Sequence, residues 1–166
     1  LHSNIRSMSK HFDSLNQMLC NLNYPFHLTG ISDTWLKPDN HLNFDLSSYT
    51  FLSQPTSQRA GSVGMFINFQ IKYHARFDLS TCIDECKTLW VEIENHLDKN
   101  ILCRIIYRHP NSNTESFFNQ LFPNIEKINR ENKICFILGD FNINLLNYDN
   151  HNLTELFVNT LNLYFF

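Results

Sequence analysis

The stretch Ile134-Cys135-Phe136-Ile137-Leu138-Gly139-Asp140-Phe141-Asn142 says more about the architecture than any other part of the chain. Its first five residues are apolar, which predicts a buried strand in a sheet that is covered on both faces. Strand alternation places Asp140 and Asn142 on the same side of the chain. Taken alone, Gly-Asp-x-Asn is typical of a turn that leaves a strand. A carboxylate here could polarise a water molecule while the amide holds a neighbouring polar group.

Length and composition indicate one folded domain. The chain has 166 residues, of which 43% are hydrophobic and 17% are charged. This balance predicts a substantial core and disfavours disorder. The formal net charge of -3 gives no basic footprint, so charge alone does not predict nucleic-acid binding. A hydrolase with an acidic metal site can also be acidic overall.

The order of apolar segments predicts the fold class. Apolar runs of strand length occur at residues 26–31, 63–69, 89–93, 101–107 and 134–138. Helical stripes follow Ser9 and Thr114, and a last helix is predicted over 153–163. Short turns between the middle strands argue against a simple doubly wound sheet. The sequence therefore predicts an α/β domain in which two packed sheets carry helices on the outside.

Cysteine usage and the chain ends bound the cellular context. Five cysteines, an odd number, form no CxxC pair, which indicates reduced thiols in a cytoplasmic or nuclear protein and does not predict a zinc site. There is no secretory signal and no apolar run that could span a bilayer, so we expect an intracellular protein without a membrane contact. The chain begins at Leu1 and stops within the apolar segment 161–166. We therefore expect residues 1–166 to be one domain that is a fragment, cut inside its first strand.

Polar residues stand at the ends of four apolar runs: Asn4, Asp33, Tyr107 with Asn111, and Asp140 with Asn142. Each of them alone is explained by a turn or a cap. Together they form four strings, namely Asn4-Ile5-Arg6-Ser7, Asp33-Thr34-Trp35-Leu36, Tyr107-Arg108-His109-Pro110-Asn111 and Gly139-Asp140-Phe141-Asn142. The strings occur in the order found in the endonuclease/exonuclease/phosphatase superfamily, which this chain resembles.

Within that superfamily the chain is most similar to the apurinic-type endonuclease domain of non-LTR (LINE-type) retrotransposons. The features that favour this branch are Arg6-Ser7, Trp35, Leu89-Trp90-Val91-Glu92-Ile93, and Tyr107-Arg108 before Pro110-Asn111. The resemblance covers nearly the whole chain and implies a four-layer sandwich of two mixed sheets flanked by helices. It also implies a metal-dependent hydrolase that nicks target DNA for retrotransposition. Such a domain belongs to a longer polyprotein that carries a reverse transcriptase domain.

The resemblance gives four of the candidate residues a place in the chemistry. Phosphodiester hydrolysis needs an in-line water, neutralised phosphate oxygens and help for the leaving oxygen, and Mg²⁺, or Mn²⁺ in its place, supplies the charge. By resemblance, Asp33 occupies the metal-carboxylate position and Asn4 belongs to the same metal and phosphate network. Tyr107 and Asn111 are expected to contact the scissile phosphate or the leaving oxygen.

Four further residues complete the expected site. By resemblance, Asp140 orients or deprotonates the attacking water and Asn142 holds the phosphate. Arg59 and Arg108 are candidates for contacts with the substrate phosphate. For these two arginines a solvated loop cation is the more common explanation.

The chain departs from the family pattern at three places. Asp33 stands where the family usually has Glu, so its carboxylate reaches about 1.5 Å less, the length of one carbon–carbon bond. Ser62 follows Gly61 where related domains usually have a second Gly. The family's later Asp, its C-terminal Asp-His motif and its C-terminal strands are expected beyond Phe166. We therefore expect this fragment itself to be weakly active or inactive, because general acid–base help of about 10²–10⁴-fold is missing.

Two alternatives stay open from the sequence. A phosphatase of the same superfamily, acting on phosphoinositides or nucleotides, would use the same site, because substrate choice lies in loops grafted on a shared fold. A non-catalytic remnant of an inactive retroelement is the other alternative. Asp33, Ser62 and a proline inside a predicted helix, Pro123, favour the remnant, whereas the retroelement-like strings favour a DNA endonuclease.

Overall fold

Two four-stranded sheets lie face to face, and helices cover their outer faces. The computed structural model describes residues 1–39, 43–58, 60–80 and 86–165. In chain order the elements are β1 (His2–Asn4), α1 (Met8–Leu22), β2 (Leu28–Ser32), β3 (Tyr49–Gln54), β4 (Val63–Asn68), β5 (Tyr73–Ala75), β6 (Cys86–Ile93), β7 (Ile101–Arg108), α2 (Thr114–Glu131), β8 (Ile134–Asp140) and α3 (Asn152–Phe165). A 3₁₀ helix, Leu145–Asn150, lies between β8 and α3.

Both sheets are mixed. The first sheet has the strand order β1-β2-β4-β3 and the second has the order β5-β6-β7-β8. Strand β1 is parallel to β2, and β7 is parallel to β8, while the other neighbours are antiparallel. Because parallel neighbours end at the same edge of a sheet, the residues that follow β1 and β2 emerge together. The same holds for β7 and β8.

The main core lies between the two sheets. It contains Val63, Met65, Ile67, Leu89, Val91, Cys103, Ile105 and Tyr107. These positions recur at every second residue, as alternation along a strand requires. Gly30 lets β2 approach the second sheet closely, because a Cβ there would lie 2.7 Å from Ile105 Cδ1.

Helices form the two outer layers. On the first sheet, Met8 and Leu15 of α1 pack against Ile31 and Phe66. The second sheet is covered by α2 and α3, through a cluster made of Cys86, Ile106, Phe117, Phe118, Leu121, Ile125 and Phe157. Helix α2 continues as one element through Pro123. The predicted fold class, an α/β sandwich of two mixed sheets flanked by helices, is confirmed.

Strand β8 lies at the edge of the second sheet, and one of its two faces is largely open. The prediction of a strand that is covered on both faces is therefore wrong. On its outer face, Cys135 and Ile137 pack against the residues under α2. On its inner face, Ile134, Phe136 and Leu138 are 45%, 53% and 36% exposed. Among the described strands, β7 is the one that pairs with β8. A continuous apolar run looks the same in a central strand and in an edge strand with one open face.

The described cysteines are free thiols, and Cys82 lies outside the described residues. They are Cys20, Cys86, Cys103 and Cys135. Burial raises the pKa of Cys103 to about 11 and that of Cys135 to about 12, so both stay protonated and unreactive near neutral pH. Within the described ranges, no helix has the length and apolar character that crossing a bilayer requires.

An ion-pair network joins β6, α2 and the segment after β5, at the end of the second sheet far from Tyr107. The Arg76 guanidinium donates to Asp78, Glu92 and Glu131 over 2.8, 2.7 and 2.6 Å. The Lys133 ammonium donates to Glu92 and Glu131 over 2.8 and 2.7 Å. These contacts, above all the Arg76 hydrogen bond, lower the pKa of Glu131 to about 2.

The low pKa of Glu131 predicts a pH dependence of stability. Because the pKa of this carboxyl is lowered in the folded state, its stabilising contribution is present above its ordinary pKa of 4.5 and is lost as the pH falls towards 2. We expect Glu131→Gln to lower the free energy of unfolding at pH 7 by about 2 kcal/mol, and the difference from wild type to shrink to near zero at pH 2. Urea unfolding across this pH range measures it. Glu126→Gln, whose partner Arg130 is 3.9 Å away on an exposed face, is the control with a small effect at every pH. A constant difference for Glu131→Gln would contradict the prediction.

Candidate active site

Residues from five chain segments meet at one end of the sandwich. The residues are Asn4 at the end of β1, Asp33 after β2, Gly61 before β4, Tyr107 near the end of β7, and Asp140 at the end of β8. The Gly61 N–H donates to Asp33, and the Asn4 amide donates to Asp140. Tyr107 pairs in register with Asp140 and lies close to the charges of both carboxylates. Four of these five positions are among the predicted site residues.

Asp33 is a buried carboxylate that donors hold in place. It is 7% exposed and its φ is 57°, a left-handed conformation that Asp tolerates. Its Oδ1 accepts the backbone N–H of Gly61 at 2.9 Å and the indole N–H of Trp35 at 2.8 Å. Asp33 is therefore fixed in direction before any ligand arrives.

Ser62 ties the loop after β2 to the loop before β4. Its buried Oγ lies 2.6 Å from Thr34 Oγ1 and accepts the backbone N–H of Leu36 at 3.0 Å. The Trp35 N–H donates to the Gly61 carbonyl over 2.9 Å. The departure from a second glycine at Ser62 is thus accompanied by hydrogen bonds that only a side chain can make, and they stiffen the loop that carries Asp33.

Tyr107 stands between the two carboxylates. It pairs in register with Asp140, and it lies close enough to both carboxylates for their charges to act on its hydroxyl. Burial, followed by the charges of Asp33 and Asp140, raises the pKa of Tyr107 to about 12, while the nearby Arg6 opposes the rise. The phenol is therefore protonated at neutral pH and acts as a hydrogen-bond donor.

Asp140 is held by two amide groups. Its Oδ2 accepts the Asn4 side-chain amide at 2.6 Å, and its Oδ1 accepts the backbone N–H of Asn142 at 3.1 Å. The first contact joins the two sheets. The second is an Asx turn, which the Gly-Asp-x-Asn pattern indicated. His2, on the same face of β1 as Asn4, places its Nε2 3.0 Å from Ser32 Oγ.

Arg108 braces the loop after β8, and its predicted phosphate contact stays a prediction. Its guanidinium is buried and donates to the carbonyls of Phe141 and Asn142, both at 2.6 Å, and to the carbonyl of Ser112 at 2.9 Å. In return the Asn142 side-chain amide donates to the Arg108 carbonyl at 2.6 Å. Arg108 therefore uses its donors on the backbone and positions Asn142, and Asn142 keeps one amide hydrogen for another acceptor.

Two predicted residues lie apart from this chain of contacts. Asn111 is exposed in the turn after β7, where its backbone N–H donates to His109 Nδ1 at 3.3 Å. The structure does not bring its side chain into hydrogen-bond contact with the other described site residues. Arg59 lies outside the described residues. Their predicted roles stay predictions.

Sequence reasoning missed two residues that shape the site, Trp35 and Gly61. They entered only as parts of family-like strings, yet both donate to Asp33. The spacing of Trp35 from Asp33 was the available signal, since residues two apart in an extended segment share a side. Their backbones are not extended, however, with φ of 58° at Trp35 and 100° at Gly61. The residue types alone do not predict these φ angles.

Comparison with known structures identifies the fold. No protein-family model matches the chain, and no curated protein matches it in sequence. The endonuclease domain of TRAS1, a telomere-specific non-LTR retrotransposon, superposes on 97% of this chain with a TM-score of 0.67 and 12% identity. An endonuclease/exonuclease/phosphatase family protein from Bacteroides thetaiotaomicron superposes on 95% with a TM-score of 0.60 and 14% identity. This chain has the endonuclease/exonuclease/phosphatase fold.

The AP endonuclease LMAP from Leishmania major has the same fold, with a TM-score of 0.74 over 97% of this chain and 11% identity. The chain spans 69% of the TRAS1 structure, 65% of the LMAP structure and 66% of the Bacteroides structure. It thus spans about two thirds of the length of these three structures. At these identities the likeness is one of fold, and it confirms the resemblance inferred from the motif strings.

The oxygen atoms at this end of the endonuclease/exonuclease/phosphatase fold suit a hard divalent cation. Nowhere in the described residues do three or more His, Cys, Asp and Glu side chains form a metal-binding group. The available ligand atoms are the carboxylate oxygens of Asp33 and Asp140 and the side-chain amide oxygen of Asn4. Mg²⁺ is commonly bound by one or two carboxylates while it keeps several waters. The donor set therefore fits Mg²⁺ or Mn²⁺ and lacks the nitrogen and sulfur ligands that zinc prefers.

Gly61 is expected to tolerate no side chain. Its φ is 100°, and a Cβ would lie 3.3 and 3.4 Å from the Tyr107 ring. Gly61→Ala should lower the free energy of unfolding by about 1–3 kcal/mol, the usual cost of a strained backbone, and should displace the Tyr107 ring. Urea unfolding measures the first effect. Ala60→Ser, at the adjacent half-buried position, is the control that should change stability little. Equal stability of Gly61→Ala and Ala60→Ser would contradict this role of Gly61.

Proposed function

We propose that this chain carries the active site of a metal-dependent phosphodiesterase that nicks DNA, as in the endonuclease domains of non-LTR retrotransposons. The observation that carries the proposal is the meeting of Asn4, Asp33, Tyr107 and Asp140 at one end of the sandwich. The likeness in fold to the endonuclease domain of TRAS1 supports it. In a full protein, this role places the domain inside the cell, in a polyprotein with a reverse transcriptase domain.

The residues divide the chemistry among them. The Asp140 carboxylate, held by Asn4 and by the Asn142 backbone, orients the attacking water and accepts its proton. The protonated Tyr107 hydroxyl donates to the scissile phosphate or the leaving oxygen. The remaining amide hydrogen of Asn142 contacts a phosphate oxygen, and Arg108 keeps that amide in place. Preorganised donors of this kind stabilise charge where it develops in the transition state.

Asp33, with Asn4, would hold Mg²⁺ or Mn²⁺. When bound, the cation supplies positive charge against the non-bridging oxygens of the phosphate. Asp33 contributes a buried carboxylate whose direction is set by the donors Trp35 and Gly61. Tyr107 lies close enough to this carboxylate to feel its charge, so the cation-binding residue and the phosphate-binding residue are neighbours.

Two cations at the rim favour a polyanionic substrate despite the net charge of -3. Arg6 is exposed and close enough to lower the pKa of Tyr107. Lys10 is exposed and places its ammonium 5.9 Å from the centre of the Trp35 ring. In the described part of the chain, neither of them forms an ion pair, whereas Arg76 and Lys133 are neutralised by carboxylates at the other end of the second sheet. Unpaired cations beside the site attract the DNA backbone.

The proposal is tested by nicking of supercoiled plasmid DNA with purified protein in excess. We expect slow nicking that requires Mg²⁺, stops with a chelator and falls to background in Asp33→Asn. Asp98→Asn, in the exposed turn between β6 and β7 at the far end of the second sheet, is the matched carboxylate control and should nick at the wild-type rate.

Two outcomes would overturn the proposal. One is nicking by wild type that is no faster than that of Asp33→Asn at any protein concentration. The other is Mg²⁺-dependent phosphate release from an inositol polyphosphate without DNA nicking, which would make the chain a phosphatase of the same fold.

A further inference from the structure

Trp35 adopts a backbone conformation that a bulky residue rarely takes. Its φ is 58°, in the left-handed region that costs free energy for residues with a large side chain. The surrounding contacts impose it: the Trp35 N–H donates to the Gly61 carbonyl at 2.9 Å, and the neighbouring Thr34 and Leu36 are bonded to Ser62. Strain kept in place by so many contacts points to a use for the side chain.

The strained conformation aims the indole at Asp33. The Trp35 Nε1–H donates to Asp33 Oδ1 over 2.8 Å, and the Gly61 N–H donates to the same oxygen over 2.9 Å. An ionised carboxylate oxygen has about two lone-pair directions, so these two donors occupy Oδ1. The carboxylate can no longer rotate about its Cβ–Cγ bond without breaking both bonds. The direction of its second oxygen, Oδ2, is therefore fixed as well.

The indole ring is itself held in place. The Lys10 ammonium, from the first turns of α1, lies 5.9 Å from the centre of the Trp35 ring. Cation–π attraction of this kind favours one orientation of the ring. The ring is half-buried, so its packing also limits rotation. A series of two contacts thus runs from Lys10 through the Trp35 ring to a carboxylate oxygen of Asp33.

We propose that Trp35 is a positioning residue for the cation, because its indole N–H fixes Asp33 in the direction from which the cation is bound. This inference rests on the proposed function, in which Asp33 is the cation-binding carboxylate. It adds a residue that touches neither the cation nor the substrate. Partners that orient a metal ligand typically contribute 10–100-fold to metal affinity, and we expect Trp35 to fall within about this range.

The first experiment measures Mn²⁺ binding by the electron paramagnetic resonance signal of free Mn²⁺, with the 166-residue protein. Trp35→Phe keeps an aromatic ring and removes the N–H, and it should weaken Mn²⁺ binding by about tenfold or more. Trp90→Phe is the matched control: Trp90 is the other tryptophan, fully buried under α2, and its loss should leave Mn²⁺ affinity unchanged. Thermal unfolding of all variants shows whether a change in affinity follows a change in fold.

Asp33→Asn separates the inference from the function on which it rests. Loss of Mn²⁺ binding in Asp33→Asn together with wild-type affinity in Trp35→Phe would overturn the role of Trp35 alone. Wild-type affinity in Asp33→Asn would overturn the cation-binding role of Asp33, and the role of Trp35 with it. Equal weakening by Trp35→Phe and Trp90→Phe would reduce Trp35 to a packing residue and would also overturn the inference.

A second experiment needs no change at Trp35. In Trp90→Phe protein, Trp35 is the single tryptophan, so excitation of the indole should sensitise emission from Tb³⁺ bound at Asp33. Mg²⁺ should displace Tb³⁺ and abolish the emission. Absence of sensitised emission at Tb³⁺ concentrations that saturate the protein would show that the cation does not lie beside Trp35, and the inference would fail.

Discussion

Asp140→Asn is expected to lower the rate of Mg²⁺-dependent DNA nicking by about 10²-fold or more, because a general base contributes about 10²–10⁴-fold to such a reaction. The substitution keeps the shape of the side chain and removes its ability to accept a proton. Nicking of supercoiled plasmid by equal amounts of wild type and variant measures the effect.

The contacts of Asp140 show why the fold should survive this change. Its two oxygens accept from the Asn4 side chain at 2.6 Å and from the Asn142 backbone at 3.1 Å. An asparagine can keep the second bond through its own carbonyl oxygen and loses at most the first. Asp140→Asn should therefore unfold at nearly the wild-type urea concentration, and the loss of rate belongs to the chemistry.

Asn4→Ala distinguishes orientation from proton transfer. It removes the donor that holds Asp140 Oδ2 and keeps the carboxyl group itself, so its effect on nicking should be smaller than that of Asp140→Asn. A double variant should lose little more than Asp140→Asn alone, since residues that act as a unit are not additive. Wild-type nicking by Asp140→Asn would contradict the proposed role of the carboxylate.

The elements of the fold were largely predictable because apolar runs mark strands and stripes mark helices. The sequence indicated two sheets with helices outside, and the structure confirms this. Polar residues that interrupt apolar runs mark the strand ends, so Asn4, Asp33, Tyr107 and Asp140 could be proposed together from their places in the chain. Their meeting requires the parallel pairs of strands, which the sequence alone does not specify.

The parts that could not be predicted depend on tertiary context. Strand β8 is as apolar as a central strand, yet one of its faces is open and one of its edges is unpaired within the described residues. The positive φ values at Asp33 and Trp35 arise from hydrogen bonds to the loop before β4, and no local residue type requires them. Propensity describes the chain one segment at a time, and these features come from contacts between segments.

Cations were the hardest residues to assign from the sequence. Arg108 has the residue type of a phosphate contact, but its three backbone acceptors make it a brace for the loop after β8. Arg104 is fully buried beside the Trp90 ring, 5.1 Å from its centre, and burial lowers the pKa of Arg104 to about 10. Arg6, which was quoted only as part of a family-like string, is the cation that lies open beside Tyr107. The residue type alone therefore does not distinguish an arginine that braces a loop, one that is buried in the core and one that is open to solvent.

Gly139→Ala is expected to have the largest effect on stability of any single methyl group added to the described glycines. The φ of Gly139 is 146°, and a Cβ there would lie 2.0 Å from the Ile106 carbonyl oxygen and 2.5 Å from Ile106 Cγ2. The obstacle is backbone of the neighbouring strand, which is paired in register with Gly139 and cannot move without breaking the β7–β8 ladder. We expect the free energy of unfolding to fall by about 4 kcal/mol or more, a large fraction of the stability of a small domain.

Gly64→Ala is the matched control in the other sheet. A Cβ at Gly64 would lie 2.6 Å from atoms of the half-buried Phe51 ring and 3.3 Å from the Leu52 carbonyl oxygen, so the severe clash is with a side chain. Overpacking against a side chain of this kind costs about 1–3 kcal/mol. Urea unfolding of both variants, with the dependence on urea concentration compared as well as the midpoint, decides between the two costs.

Because Gly139 directly precedes Asp140, any Gly139→Ala protein that does fold should also lose nicking, since the Asp140 carboxylate would be displaced from its place beside Asn4. A Gly139→Ala protein as stable as Gly64→Ala would mean that the chain can leave the β7–β8 register at this point, and the placement of Asp140 at the end of β8 would have to be revised.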